Sequence, residues 1–324
     1  MDTSWNELVA GVRRGQARAL ARLISRVEDR EPGWEGTMKA LFPYAGSARV
    51  VGITGPPGAG KSSLTNRITA LLAARGHRIG IIAVDPTSPF SGGALLGDRL
   101  RMRDVATTPG VFIRSMATRG TLGGLCQGAR DVARILAAAG HDIILIETVG
   151  VGQDEIEVVK AADVVLVVCV PGQGDGVQTL KAGIMEIADL FVVNKADCDG
   201  AETLVADIRS MQTLSADASA DTAPVLATCA VSGQGVEQLV EALLKYARRA
   251  DRSAARDAAR IQEEILTLVE RDIARLVRQR WVKTGTLDDA VRRVRSGEVD
   301  PYSAAQEMLS SVALKDRSGD GREQ

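Results

Sequence analysis

Aromatic side chains are scarce, at 3% of 324 residues. That removes the stacking platforms on which single-stranded nucleic acid is held. No sign of charge is in excess: 40 Lys and Arg stand against 41 Asp and Glu, a formal net charge of −1. The balance gives no electrostatic footprint for nucleic acid or a membrane surface, and neither is expected as a partner. Cysteine is limited to Cys126, Cys169, Cys198 and Cys229, with no C-x-x-C spacing. Reduced thiols in a cytoplasmic protein are expected, with Cys169 a buried small hydrophobe inside the run VVLVVCV. No apolar run is long enough to cross a bilayer. The opening MDTSWNELVAGVRRG carries Asp2 and Glu7 and lacks an apolar centre, unlike a secretory signal or a transit peptide. The two histidines, His77 and His141, each sit in a turn before a strand-like run and read as surface residues.

Three zones follow one another. Residues 1–47 read as a helical extension: Leu20, Leu23, Ile24 and Val27 recur at helical spacing until Pro32 and Gly33 break the pattern. Residues 48–250 alternate helical patterns with the runs RVVGIT, RIGIIAVD, VFIRS, DIILIE, DVVLVVCV, LFVVN and PVLATC. Most are apolar at consecutive positions, the mark of strands buried on both faces. The fold class expected is therefore α/β, a mostly parallel sheet flanked by helices. SADASADTA, residues 215–223, reads as an exposed loop before the last strand. Residues 251–324 contain no strand-like run. Ile261, Ile265, Val269, Ile273 and Leu276 form a helical stripe, and VDPYSAAQEML predicts a helix capped by Asp300 with Pro301 in its first turn.

The most informative stretch is GITGPPGAGKSSL, from Gly52 to Leu64. Gly55, Gly60, Lys61 and Ser62 fit G-x-x-x-x-G-K-[ST] between a buried strand and a helix, the context of a P-loop. Such a loop (here with Pro57, Gly58 and Ala59 at its centre) turns backbone N–H groups toward a polyphosphate, aided by the helix dipole. Lys61 supplies a full positive charge to the terminal phosphates, the Ser62 hydroxyl can ligate Mg²⁺, and Ser63 can reach the innermost phosphate.

Downstream, Asn194, Lys195 and Asp197 match N-K-x-D at a strand end. A carboxylate there accepts from guanine N1–H and its exocyclic amine, which adenine cannot offer in that place, so guanine is expected. The Lys195 stem can lie over the base plane, and the backbone N–H of Ala230, in TCAVSGQG, can reach the guanine oxygen. Glu147 ends the run DIILIE in the place of a Walker-B acid, with Gly150 as the γ-phosphate sensor. Glutamate rather than aspartate suits an outer-shell contact to Mg²⁺. Val151 occupies the position where many GTPases orient water with glutamine, so slow intrinsic hydrolysis is expected, accelerated by a partner or a loop; Gln153 lies nearby. Asp85 and Asp98, in IIAVDPTSPFSGGALLGDRLRM, are the acids expected to approach the metal, and a capping role for Asp85 is the alternative.

Taken in order, GPPGAGKSS, VDPTSPFSGGALLGDRLRM, TRGTLGGL, ILIETVGVGQ and NKAD resemble the P-loop GTPases of the MeaB/ArgK/MMAA group, chaperones of adenosylcobalamin-dependent acyl-CoA mutases such as methylmalonyl-CoA mutase. The resemblance implies a GTPase domain between helical extensions, a homodimer formed through the C-terminal arm, and GTP-gated loading of adenosylcobalamin onto a mutase that the protein also protects. It implies GTP/GDP and Mg²⁺ as ligands, and as partners the mutase's cobalamin-binding domain and the adenosyltransferase. It places Lys61, Ser62, Asp85, Asp98 and Glu147 at the phosphate–Mg²⁺ site. It also marks PGQGDGVQTLK, residues 171–181, as a further switch, with Asp175, Gln178 and Lys181 its polar members and Lys181 a catalytic candidate. Several relatives read Gly-Asp-Glu-Leu-Gln there; this chain reads Gly174-Asp175-Gly176-Val177-Gln178, so nothing assigned to that glutamate transfers. Three other readings are a nickel- or zinc-delivering GTPase, which needs clustered soft or imidazole ligands, a nucleotide-dependent kinase, which needs an acceptor site, and a nucleotide-gated binding module whose hydrolysis is incidental.

Overall fold

A computed structural model describes residues 4–46, 48–85, 103–117, 124–148, 162–172, 188–215, 222–249 and 254–313. The chain divides into two compact units, residues 1–254 and 255–324.

The first unit opens with three helices, α1 (Trp5–Arg13), α2 (Ala17–Glu28) and α3 (Trp34–Leu41). A capping box starts α1: the Ser4 hydroxyl accepts from Glu7 N–H at 3.3 Å and the Glu7 carboxylate accepts from Ser4 N–H at 3.0 Å. Leu20, Leu23, Ile24 and Val27, the stripe read from the sequence, are the buried residues of α2. The break at Pro32 and Gly33 is tied down by Trp5, whose indole N–H donates to the Pro32 carbonyl at 3.0 Å.

Seven strands follow: β1 (Arg49–Thr54), β2 (Ile79–Asp85), β3 (Val111–Ala117), β4 (Ile143–Thr148), β5 (Val164–Cys169), β6 (Leu190–Val193) and β7 (Val225–Ala227). They form one sheet in the order β3-β2-β4-β1-β5-β6-β7, each neighbouring pair parallel. Every one coincides with an apolar run of the sequence. Among the described residues, the interleaved helices are α4 (Lys61–Ala74), α5 (Arg103–Ala106), α6 (Gly124–Ala138), α7 (Ala201–Ser215) and α8 (Val236–Arg249).

The consecutive apolar residues serve opposite faces. On β4, Ile143 and Leu145 pack in the core shared with α4 and α8, while Ile144 and Ile146 pack with the N-terminal helices and α6. On β5, Val164, Leu166 and Val168 join the first core, and Val165, Val167 and Cys169 a third one with α7. Thus α1–α3 form part of the layer that covers one sheet face. Strand β1 lies at the centre, between β4 and β5, and the helix after it crosses over β4 to reach β2. The sheet's order reverses there, the place where α/β proteins bind ligands beyond the carboxyl ends of the strands.

Among the described residues, the second unit holds α9 (Ala254–Lys283, its first residue the last of the first unit), α10 (Thr286–Arg295) and α11 (Pro301–Ala313). Asp300 caps α11 as expected, its Oδ1 accepting from the N–H of Tyr302 at 2.9 Å and of Ser303 at 3.0 Å. Hydrogen bonds from Ser303 hold its carboxyl below the usual carboxylate range. Ile261, Ile265, Val269, Ile273 and Leu276 of α9 are all exposed. Among the described residues no helix is long and apolar enough to cross a membrane.

Candidate functional site

The turn from β1 into α4 is dictated by glycine. Gly55 has φ +142°, and a Cβ there would lie 2.1 Å from the Val168 carbonyl oxygen of β5. Gly60, with φ +84°, would press a Cβ to 2.5 Å from Asn194 Nδ2. Only a residue without a side chain allows the backbone to wrap this closely. The loop's Ala59 is fully buried, whereas Pro57 and Gly58 lie exposed at its tip.

Lys61, the first residue of α4, is 95% buried, being 5% exposed. Its ammonium donates to the carbonyls of Gly55 at 2.7 Å and Pro56 at 3.0 Å, so the side chain folds back over the loop that precedes it. Beside it the Ser62 hydroxyl donates to Oε1 of Glu147, which is buried near the end of β4. Ser63 is exposed on the same first turn. Two of the four expected metal ligands, from distant parts of the chain, are therefore in direct contact. They form an all-oxygen donor pair at the mouth of the loop, the donor chemistry Mg²⁺ prefers.

On the other flank, Asn194 at the end of β6 is buried and bridges three segments. Its Nδ2 donates to the Ala59 carbonyl at 2.8 Å, and its Oδ1 accepts from Ala230 N–H at 3.0 Å and Thr228 Oγ1 at 3.2 Å. The Ala230 N–H expected to meet the base is thus already part of the asparagine's network. Lys195 adopts a left-handed φ of +58°, and Ala196 N–H donates to the Thr228 carbonyl at 2.9 Å, tying this turn to the loop after β7. Lys195 and Asp197 both stand exposed on it. Sequence reading did not single out Arg67 of α4. Its Nε–H donates to the Ala230 carbonyl at 3.0 Å and its Nη2–H to that of Val231 at 2.7 Å. No local signal marks it, because its partners are backbone atoms far along the chain.

Asp85 is the last residue of β2; its side chain, and Asp98, Gly150, Val151, Gln153, Asp175, Gln178 and Lys181, lie outside the described residues. So does most of SADASADTA, although Ser215 itself ends α7.

The cysteine reading holds for Cys169, whose thiol is pushed up to about 12 by burial. One histidine reading is corrected. His77 is partly exposed and pairs with Asp142, Nδ1 to Oδ2 at 2.5 Å, but His141 is buried. It meets the Phe112 ring edge-on at 6.3 Å and its Nδ1 lies 3.0 Å from the Leu136 carbonyl; desolvation holds its pKa below the usual histidine value. The turn before β4 sits under the end of α6 rather than in solvent.

Residues 20–283 match the family described as methylmalonyl Co-A mutase-associated GTPase MeaB. A Pyrococcus abyssi protein named as a GTPase is 45% identical over 313 residues, covering 95% of this chain and 96% of its own. The mouse mitochondrial methylmalonic aciduria type A homolog is 32% identical over 268 residues, covering 81% of this chain and 65% of its own. Among solved structures, the LAO/AO transport system kinase superposes with a TM-score of 0.69 at 26% identity, covering 97% of this chain and 99% of that one.

Proposed function

The chain belongs to the MeaB/ArgK/MMAA family of P-loop GTPases, and from that premise we propose that it is a GTP-hydrolysing chaperone that gates adenosylcobalamin loading onto an acyl-CoA mutase and protects that enzyme. The observation that carries the nucleotide assignment is Asn194. It joins the phosphate loop at Ala59 to the loop of Ala230, which supports reading the base motif and the phosphate loop as parts of one guanine-nucleotide site.

Within that reading, Lys61 moves its ammonium from two carbonyls to the β- and γ-phosphates, and the N-terminus of α4 receives the β-phosphate. Asp197 accepts from the guanine N1–H and amine. Ser62 and Glu147, with Asp85 and Asp98, are the residues that would hold Mg²⁺. When bound, the ion neutralises charge on the β- and γ-phosphates. Lys61, Glu147, Asp98 and Lys181 are the proposed catalytic set, Gly150 senses the γ-phosphate, and Val151 leaves water orientation to a partner or a loop. The helical extension, the GTPase domain and the C-terminal arm, with the exposed stripe of α9 as the seam of a homodimer, belong to the same proposal. The mutase and the adenosyltransferase are its partners.

The test is GTP turnover with Mg²⁺, alone and with a purified adenosylcobalamin-dependent acyl-CoA mutase. Acceleration by the mutase, with inorganic phosphate as the product, and loss of turnover in Lys61→Ala are expected. A rate indifferent to the mutase overturns the chaperone assignment. Transfer of phosphate to a substrate instead of water makes the protein a kinase.

A further inference from the structure

We propose that Arg67 is the positioning residue that clamps the base-side loop against the phosphate-binding helix and thereby sets how slowly a guanine nucleotide is released. The inference rests on the guanine reading of the site and deepens it.

The loop after β7 has little apolar anchorage at its tip: Val231 is 83% exposed, next to a buried Ala230. Its own turn is closed by Cys229 N–H to Gln234 carbonyl at 2.9 Å and Gly233 N–H to Cys229 carbonyl at 2.8 Å. Those bonds fix the loop's shape and leave its position on the protein to outside contacts. Besides the Ala196 N–H bond to the Thr228 carbonyl and the burial of Ala230 and Val236, two side chains supply them. From one side Asn194 takes the Ala230 N–H; from the other the Arg67 guanidinium takes two successive carbonyls, those of Ala230 and Val231. Ala230 is thus held through both its N–H and its C=O.

The chemistry suits arginine. A planar fork of N–H donors spans adjacent acceptors with one charge, and bonds to a charged donor are the stronger kind. Arg67 lies on α4, whose first turn carries Lys61 and Ser62. The clamp therefore makes the phosphate helix and the base-side loop one body, and a leaving nucleotide must pull against both. An exposed arginine that merely decorated the helix would have no reason to direct two donors at consecutive carbonyls of another loop.

The experiment measures release of a fluorescent GDP by stopped flow, and binding of GDP and of inorganic tripolyphosphate with Mg²⁺, for the full chain, Arg67→Ala and Arg67→Lys. Arg67→Ala should release GDP about tenfold faster or more, while tripolyphosphate, which has no base, binds as before. Arg67→Lys keeps the charge but loses the fork and should fall between, so the comparison survives if the alanine variant does not fold. Release within twofold of the unaltered chain, or equal loss of GDP and tripolyphosphate, overturns the proposal. Failure of the unaltered chain itself to bind GDP would instead overturn the guanine reading.

Discussion

Arg30 offers a quantitative test of how the N-terminal helices are joined to the sheet. It follows α2 at a left-handed φ of +53°. From there Nη1 donates to Asp131 Oδ2 on α6 at 2.7 Å, and the guanidinium lies 4.1 Å from the centroid of Trp34. The Asp131 side chain is 4% exposed and that of Arg30 33%. Removing one partner of a fully buried pair costs about 3–5 kcal/mol. Here Arg30 is one-third in water and Gln127 still donates to Asp131 at 3.0 Å, so about 2 kcal/mol is the fitting figure. The cation–π contact adds about 0.5–1 kcal/mol. Arg30→Ala should therefore lose about 3 kcal/mol, a fall in Tm of about 6–12 °C for a unit of this size.

Two controls sharpen the Arg30 test. Arg30→Gly loses the same side chain but suits the left-handed backbone, and should be about 1 kcal/mol more stable than Arg30→Ala. The second control is pH. Desolvation already raises the Asp131 pKa above 3.8 despite Arg30, and loss of the arginine raises it further. A carboxyl raised on folding makes the folded state bind the extra proton, so its stability falls as pH rises from 3.8 through the raised value and is flat above. The deficit of Arg30→Ala should thus be largest at high pH, where the carboxyl is ionised, and shrink at low pH, where it is protonated. Urea unfolding followed by tryptophan fluorescence at high and at low pH gives the answer. A deficit below about 0.5 kcal/mol, or one unchanged by pH, refutes the reasoning.

Asp197→Asn should exchange guanine preference for xanthine, since the amide donates where the carboxylate accepted; competition binding of GDP and xanthosine diphosphate measures it. Gly55→Ala drives a Cβ to 2.1 Å from the backbone oxygen of Val168, which cannot swing aside. A loss of about 3 kcal/mol or more, together with loss of nucleotide binding, is expected from thermal unfolding and calorimetry. Removing residues 251–324 takes away the exposed stripe of α9, and sedimentation should find the shortened chain monomeric; a shortened chain that still dimerises refutes the arm.

The sheet was legible for a specific physical reason. A parallel strand buried on both faces needs apolar residues at consecutive positions, so RVVGIT and DIILIE announce themselves without partners, and their ends coincide with β1 and β4 to within a residue. The phosphate loop was legible because its backbone requires glycines at fixed offsets. The clamps were not. Asn194 was read for its place in N-K-x-D, but its bond to Ala59 joins residues 135 apart. Arg67 grips carbonyls 163 and 164 residues away, and a carbonyl carries no side-chain identity for a motif to contain. The stacking of Arg26 on Trp5 and Arg30 on Trp34 is hidden likewise, because each contact depends on how the N-terminal helices pack. His141 was misread because a turn before a strand is usually solvent-facing, and here the end of α6 covers it.

The same contacts bear on what nucleotide binding can gain. An ammonium as buried as that of Lys61 is tolerated only when it is hydrogen-bonded, and the Gly55 and Pro56 carbonyls meet that need from within the loop it serves. An incoming phosphate therefore exchanges acceptors with the lysine instead of rescuing an unsatisfied charge. The net gain must come from charge–charge attraction, from the N–H groups of the loop and from the α4 dipole. The lysine in turn braces the loop around the space a phosphate would take, so part of the ordering cost is met in folding. A methionine in its place would lose the charge and also the two bonds that shape the cradle. The effect on affinity of replacing Lys61 should thus exceed what removal of one phosphate contact would cause.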